Sequence, residues 1–229
     1  MKVTEIFASI DGEGITSGIP AIFVRLYGCN LACKWCDSTY AWKTEYDKAK
    51  EMSVDDIYKE VCELNYQYEI THVTITGGEP LIWDDSIALT KRLAKSGFYI
   101  NIETNGAIDL LNIKNSRLFS FDDQIIYTMD VKCPSSGMSD KMVLNNLAVL
   151  DHEDVVKFVV GSDEDIDFME QVIESNQPIK ANIFVSPVFG SIDLPHIVDR
   201  MLEDNLASYD VRFQLQAHKI IWDPNKRGV

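Results

Sequence analysis

Apolar and β-branched residues gather in short runs at Ala21–Tyr27, His72–Thr76, Phe98–Glu103, Ile125–Val131, Val155–Val160 and Ala181–Ser186, and Val211–Leu215 is a candidate seventh. Runs of this length predict buried strands. Between several of them the apolar period lengthens to that of a helix. Ser53 followed by Asp56 starts one helix near Ser53–Leu64, Asp84 opens another that ends at Gly97, and Ser162 with Asp165 opens a third. Ile108–Asp123 and Thr39–Met52 read as irregular. Strands alternating with helices predict an α/β fold with a parallel sheet and crossover helices. An open partial barrel, with its site at the carboxyl ends of the strands, suits this pattern.

The bulk properties narrow the picture a little. A chain of 229 residues suits one domain, 1–229, with a sizeable core. It shows no internal repeat, low-complexity run or linker. No stretch has the apolar length needed to span a bilayer, and Met1-Lys2-Val3-Thr4-Glu5 lacks a signal-peptide pattern. The expectation is therefore a cytoplasmic protein, whose reducing surroundings keep cysteines as thiols. A net charge of −15 without a basic stripe argues against a nucleic-acid partner, because neutralised phosphates supply much of that affinity.

The richest chemistry lies in Gly28-Cys29-Asn30-Leu31-Ala32-Cys33-Lys34-Trp35-Cys36-Asp37-Ser38. Cys29, Cys33 and Cys36 can hold one face of a cubane iron–sulfur cluster, and no nearby cysteine completes the set, so one iron stays open for chemistry. A zinc site with a distant fourth ligand, or three unrelated buried cysteines, are the competing readings. Cys62 falls in a helical pattern and reads as a small buried hydrophobe. Cys133 follows Asp130-Val131-Lys132 and reads as a bystander.

Downstream, Thr74-Ile75-Thr76-Gly77-Gly78-Glu79-Pro80-Leu81 ends a strand in two glycines, which let backbone approach a ligand closely. Glu79 is expected to point a carboxylate into that site. Arg25 interrupts an apolar strand, where an unpaired guanidinium is costly to bury, and its planar fork suits a carboxylate. An internal ion pair is the alternative, with Glu13 as the expected partner.

Taken together, the cysteine loop and the glycine motif resemble the radical S-adenosylmethionine superfamily. Phe7-Ala8-Ser9-Ile10-Asp11-Gly12-Glu13-Gly14, Phe23-Val24-Arg25-Leu26-Tyr27-Gly28, Cys36-Asp37-Ser38, Glu103-Thr104-Asn105-Gly106 and Gln216-Ala217-His218-Lys219 narrow the resemblance to the 7-carboxy-7-deazaguanine synthases. The resemblance implies a partial, open TIM-like barrel of about six parallel strands with reduced helices, an N-terminal substrate-binding segment and a C-terminal extension. It implies ring contraction of 6-carboxy-5,6,7,8-tetrahydropterin to 7-carboxy-7-deazaguanine with loss of ammonia, toward queuosine and related deazapurines. A [4Fe–4S] cluster on Cys29, Cys33 and Cys36, S-adenosylmethionine and Mg²⁺ on Ser38 are the implied cofactors. The cofactor contacts it implies are Trp35, Gly78, Glu79, Glu103, Thr104, Asn105, Asp130, Val131, Lys132, Ser186 and Pro187. For the substrate it implies Ile10, Asp11, Gly12 and Glu13, with Arg25, Thr76 and His218. Partners implied are the small pterin, a flavodoxin-type or similar reductant, and a second copy in a homodimer. A glycyl-radical-enzyme activase shares the cysteine spacing but leaves Arg25 and Asp11-Gly12-Glu13-Gly14 without a task. A metal or redox sensor leaves Gly77-Gly78-Glu79 without one.

Overall fold

The computed structural model describes residues 1–114 and 124–229. In chain order the strands are β1 (Lys2–Ile10), β2 (Pro20–Leu26), β3 (Lys50–Glu51), β4 (His72–Gly77), β5 (Tyr99–Thr104), β6 (Ile125–Lys132), β7 (Val155–Val160), β8 (Asn182–Pro187) and β9 (Arg212–Phe213). The helices are α1 (Val54–Tyr68), α2 (Asp84–Ala94), α3 (Leu110–Lys114), α4 (Asp163–Ser175), α5 (Leu194–Glu203) and α6 (Ala217–Ile221). One sheet runs β3-β1-β2-β4-β5-β6-β7-β8-β9. From β2 through β9 neighbouring strands are parallel, whereas β1 is antiparallel to both β2 and β3. The first and last strands in that order are not paired to each other among the described residues, so the sheet is an open, partial barrel.

Strand alternation sorts the sheet into two faces. Val73 and Ile75 of β4, Ile100 and Ile102 of β5, Met129 and Val131 of β6, and Val156 and Phe158 of β7 face the helices. There they pack with Ile57 and Val61 of α1, Leu89 and Leu93 of α2, and Met169 and Ile173 of α4. The residues between them, Thr74, Thr76, Asn101, Glu103, Thr128, Asp130 and Lys157, line cavities on the concave face. An apolar convex face under helices and a polar concave face leave the inside of the barrel free for chemistry.

Local signals place the helices. Ser53 caps α1 in a reciprocal box with Asp56, its hydroxyl taking the Asp56 N–H at 3.2 Å while the Asp56 carboxylate takes the Ser53 N–H at 3.0 Å. α1 runs past the expected Leu64 to Tyr68, because Glu69 in the left-handed conformation stops it instead. α4 starts after Ser162 as expected, and α2 ends at Ala94, three residues short of Gly97. The stretch expected to be irregular at Thr39–Met52 holds short turns and β3, and Leu110–Lys114 forms a single helical turn; 115–123 lie outside the described residues. Besides the short β3, α3 and α6, the longer β1 and α5 have no counterpart among the expected elements. β1 is partly exposed along nearly its whole length, so its apolar alternation is weak, and α5 carries Leu194, Val198 and Leu202 exposed to solvent. The candidate seventh strand survives only as the two residues of β9.

Candidate active site

At the carboxyl ends of the parallel strands lies a cavity of about 650 Å³. Cys29, Cys33 and Cys36 all open onto it, on the loop that leaves β2. The loop is seated by the glycines that follow β4. A Cβ on Gly78 would stand 2.2 Å from the Gly28 carbonyl oxygen and 2.8 Å from the Cys29 Cβ, and one on Gly77 would stand 2.1 Å from the Leu26 carbonyl oxygen. Only glycine permits that approach.

Donors converge on the sulfurs. Trp42 Nε1 donates to Cys36 Sγ at 3.3 Å, and Leu31 N and Asn105 Nδ2 donate to Cys29 Sγ at 3.4 and 3.5 Å. Such N–H···S contacts stabilise thiolate charge and are a means of tuning iron–sulfur ligands. Burial pushes the Cys29 and Cys33 thiols up, so binding of metal there releases protons. Among the described residues no three His, Cys, Asp or Glu side chains draw together tightly enough for a single ion. Three thiols on one cavity, with N–H donors at Cys29 and Cys36, fit the ligand chemistry of a cluster. Cys62 lies in α1, and Cys133 is fully buried with its thiol pushed far up by burial; neither lines the cavity.

Several expected residues sit on the cavity wall: Trp35, Ser38, Gly78, Glu103, Thr104, Asn105, Asp130 and Lys132, with Ile10, Gly12, Glu13, Arg25, Thr76 and His218. Others do not, and each has a physical reason. Glu79, expected to point into the site, is completely buried behind it. Its carboxylate takes N–H bonds from Asn105 at 2.6 Å and Leu81 at 3.0 Å and the Thr104 hydroxyl at 3.0 Å, so it ties the end of β4 to the end of β5. Burial raises its pKa to about 7 despite those bonds. Val131 faces the core, since its neighbours Asp130 and Lys132 take the cavity side. Ser186 and Pro187 are buried off the wall, and Val188, Phe189 and Ser191 stand there instead. Asp11 turns away into a second cavity of about 140 Å³ toward the other end of the strands, where it accepts the Thr74 hydroxyl at 2.8 Å. Burial, with Glu103 nearby, raises its carboxyl to about 7.

The alternative reading of Arg25, an ion pair with Glu13, is also corrected. Arg25 Nε donates to Glu5 Oε1 at 2.8 Å, and Tyr40 Oη donates to the same oxygen at 3.0 Å. Burial opposes the Arg25 charge, but Tyr40 and Glu5 more than restore it. Among the described residues no acceptor takes the two terminal nitrogens, which leaves the outer edge of the fork to the cavity. Ser38 precedes a short turn without capping it through its side chain, and its Oγ lies 3.8 Å from Cys36 Sγ. Thr76 donates its hydroxyl to Glu103 at 2.7 Å. His218 packs on Gly12, where a Cβ would meet its Nδ1 at 2.3 Å, and burial holds its ring below the usual histidine range.

The sequence reading omitted three features of the wall. Lys157 sits inside β7 and pairs with Glu13 and Asp130, each at 3.1 Å. A lone cation in Val155-Val156-Lys157-Phe158-Val159-Val160 is the same signal that singled out Arg25. Asp37 pairs with Lys219 at 2.7 Å, and this pair holds the carboxyl low against burial. Residues 224–229 border the cavity, with Arg227 held by Glu45 at 2.9 Å and over the Tyr40 ring at 3.9 Å. Nothing in the local sequence of that tail predicts where it lies.

Comparison with known proteins follows the same lines. The family model of the radical SAM superfamily matches residues 23–122. A 7-carboxy-7-deazaguanine synthase of Clostridium acetobutylicum is 42% identical over 230 residues, covering 100% of this chain and 99% of that protein. One from Methanospirillum hungatei is 42% identical over 228 residues, covering 98% of this chain and 86% of that protein. Among solved structures, QueE from Escherichia coli superposes with a TM-score of 0.70 at 25% identity, covering 95% of this chain and 94% of that one. Streptococcus suis SuiB bound to S-adenosylmethionine shares the fold, with a TM-score of 0.55 at 13% identity.

Proposed function

We propose how the cavity is used from the premise that this chain belongs to the 7-carboxy-7-deazaguanine synthase family of radical S-adenosylmethionine enzymes. It is a lyase that contracts the ring of 6-carboxy-5,6,7,8-tetrahydropterin to 7-carboxy-7-deazaguanine with loss of ammonia, a step of queuosine and deazapurine synthesis. The observation that carries the site assignment is that the three thiols and the free edge of Arg25 open onto one cavity. Cys29, Cys33 and Cys36 would hold a [4Fe–4S] cluster. When bound, the cluster and S-adenosylmethionine supply the one-electron chemistry that removes a hydrogen atom from the substrate.

The residues then have distinct tasks. The Arg25 fork takes the substrate carboxylate, a two-point contact that fixes the reacting carbon in position. Glu13 and the backbone around Gly12 meet the nitrogen-rich edge of the pterin, with His218 packed behind them. Thr76 and Glu103 bracket the floor. Gly78, Thr104 and Asn105 frame the cofactor side, and the Trp35 ring, with Lys132 5.6 Å from its centre, walls it. Glu79, Val131, Ser186 and Pro187 support that side from behind. Residues 224–229 close the mouth and exclude water, which protects reactive intermediates.

Ser38, its hydroxyl unused by the turn it precedes, would supply one ligand to Mg²⁺. Hard oxygens from substrate and water would complete that shell, and the ion would polarise the substrate oxygens. The same reading makes the chain one domain, cytoplasmic, reduced by a flavodoxin-type protein and paired with a second copy. Among the described residues no helix is long and apolar enough to cross a membrane.

The test is anaerobic reconstitution with iron and sulfide, then incubation with reductant and S-adenosylmethionine, with and without the carboxypterin. Formation of 7-carboxy-7-deazaguanine that requires all components is expected. Cleavage of S-adenosylmethionine with no deazapurine formed would refute the reading.

A further inference from the structure

Every residue of β7 is buried, and all but one are apolar. Val156, Phe158 and Val160 enter the helix-side core, so alternation turns Lys157 into the cavity. An ammonium there is desolvated, and an apolar residue would suit the strand as well without that cost. The charge therefore calls for an account beyond folding. Lys157 Nζ stands 3.1 Å from Glu13 Oε2 and 3.1 Å from Asp130 Oδ1. Glu13 Oε2 also accepts from Gln216 Nε2 at 3.2 Å, and Asp130 Oδ2 pairs with Lys132. Two carboxylates and two ammoniums thus alternate across the barrel from the substrate wall to the cofactor wall, and their charges balance. Two carboxylate oxygens of this alternating set, Asp130 Oδ1 and Glu13 Oε1, take no hydrogen bond among the described residues, and Asp130 Oδ1 still has the Lys157 ammonium beside it. Glu13 Oε1 is buried and has no partner among the described residues. Buried acceptors of this kind are normally satisfied, so this one is set for a donor that arrives with a ligand.

We propose that Lys157 is a positioning residue: it pins one oxygen of Glu13 so that the other, Oε1, receives an N–H from the aminopyrimidine ring of the substrate. The inference rests on the assignment of Glu13 to the substrate side. Without Lys157 the Glu13 carboxylate faces Asp130 with no cation between them, and the geometry that presents Oε1 is lost. Because Lys157 reaches the substrate only through Glu13, removing both should cost no more than removing Glu13.

The test is fluorescence titration of 6-carboxypterin, an oxidised analogue carrying the same ring edge and carboxylate, into the purified protein. Wild type is compared with Lys157→Met, Glu13→Gln and the double variant. Each single change should weaken binding about tenfold or more, a loss of the order expected for a charge-assisted hydrogen bond, and the double variant should match Glu13→Gln within about twofold. A general loss of packing would instead weaken binding equally whether or not Glu13 is present. The inference is overturned if the two losses multiply, or if Lys157→Met binds like wild type. Should Lys157→Met fail to fold, the double variant carries the test alone. It removes one charge of each sign and leaves Asp130 paired with Lys132, and binding about tenfold weaker than Glu13→Gln would sink the idea. Wild-type protein that binds no pterin would overturn the functional reading as well, whereas normal wild-type binding with an indifferent Lys157 would overturn this inference only.

Discussion

Replacing Arg25 with lysine keeps the charge and removes the fork, and the structure sets the size of the effect. The guanidinium now serves two masters. Its Nε holds Glu5 at 2.8 Å and its outer edge faces the cavity. A lysine ammonium at that position can meet Glu5 or a ligand carboxylate, but it cannot do both with the same geometry. The loss is about one charge-assisted hydrogen bond, or roughly 1.5–3 kcal/mol, which corresponds to about a 10- to 150-fold weakening. Glu5 is not stranded, because the Tyr40 hydroxyl still donates to it at 3.0 Å, so the fold should survive. Titrating both 6-carboxypterin and unsubstituted pterin isolates the contact. Wild type should prefer the carboxylated ligand, and Arg25→Lys should narrow that preference by the same 10- to 150-fold. Iron and sulfide bound after reconstitution should not change. If the preference for the carboxylated pterin is the same in both proteins, Arg25 does not hold the carboxylate, and its burial is explained by Glu5 alone.

Three further outcomes are expected. Alanine at Cys29, Cys33 or Cys36 should abolish iron incorporation after reconstitution, while Cys62→Ala and Cys133→Ala keep it; a redox-inert zinc ion in anaerobically purified native protein would contradict this. Ser38→Ala should lose magnesium stimulation of product formation and Ser38→Thr should keep it, so an alanine variant with a wild-type magnesium response would return Ser38 to a structural role. Asp11 holds its proton to about pH 7 in the folded state against about 4 when unfolded, so its contribution to stability is fully present below pH 4 and is lost as pH rises through 7. The loss is on the order of 4 kcal/mol, and urea unfolding of Asp11→Asn, which keeps an acceptor for Thr74, should show a correspondingly flatter decline between pH 4 and 7 than wild type. Parallel pH curves for the two proteins would mean that Asp11 is ionised throughout.

What the sequence made legible follows from burial. The runs that became β4 through β8 are buried on the helix side, so their apolar residues recur without interruption and their positions are readable within a residue or two. β1 has solvent or cavity beside most of its residues, so selection for an apolar face is weak and the strand hides in its own sequence. The side-chain directions at strand ends were harder still. Glu79 and Asp11 each sit where regular alternation gives way to a turn, and a turn can send a carboxylate into the site or behind it. Glu79 goes behind the site and Asp11 into the second cavity, and the donors found there, Asn105 N and Leu81 N for Glu79 and the Thr74 hydroxyl for Asp11, come from parts of the chain that no local pattern brings together.

Arg25 and Lys157 show where a local pattern does reach the site. Each is the lone cation in a run of buried apolar residues, and each lies on the strand face opposite the helix-side core. In a sheet whose convex face is filled by helices, a charged residue in such a run can be accommodated only on the concave face, where a counterion or ligand must meet it. The alternative of an Arg25–Glu13 ion pair therefore erred in the partner and not in the principle. Glu13 does neutralise a buried strand cation, but the cation is Lys157. Glu5, which lies beside Arg25 in the β1–β2 register, takes the arginine instead. Adjacent strands settle such pairings before distant loops can compete, because register alone brings the two side chains within reach at no added cost in chain ordering. By that reasoning the Arg25–Glu5 pair belongs to the scaffold, and the Lys157–Glu13 pair, formed across 144 residues of chain, is the one whose geometry answers to the ligand.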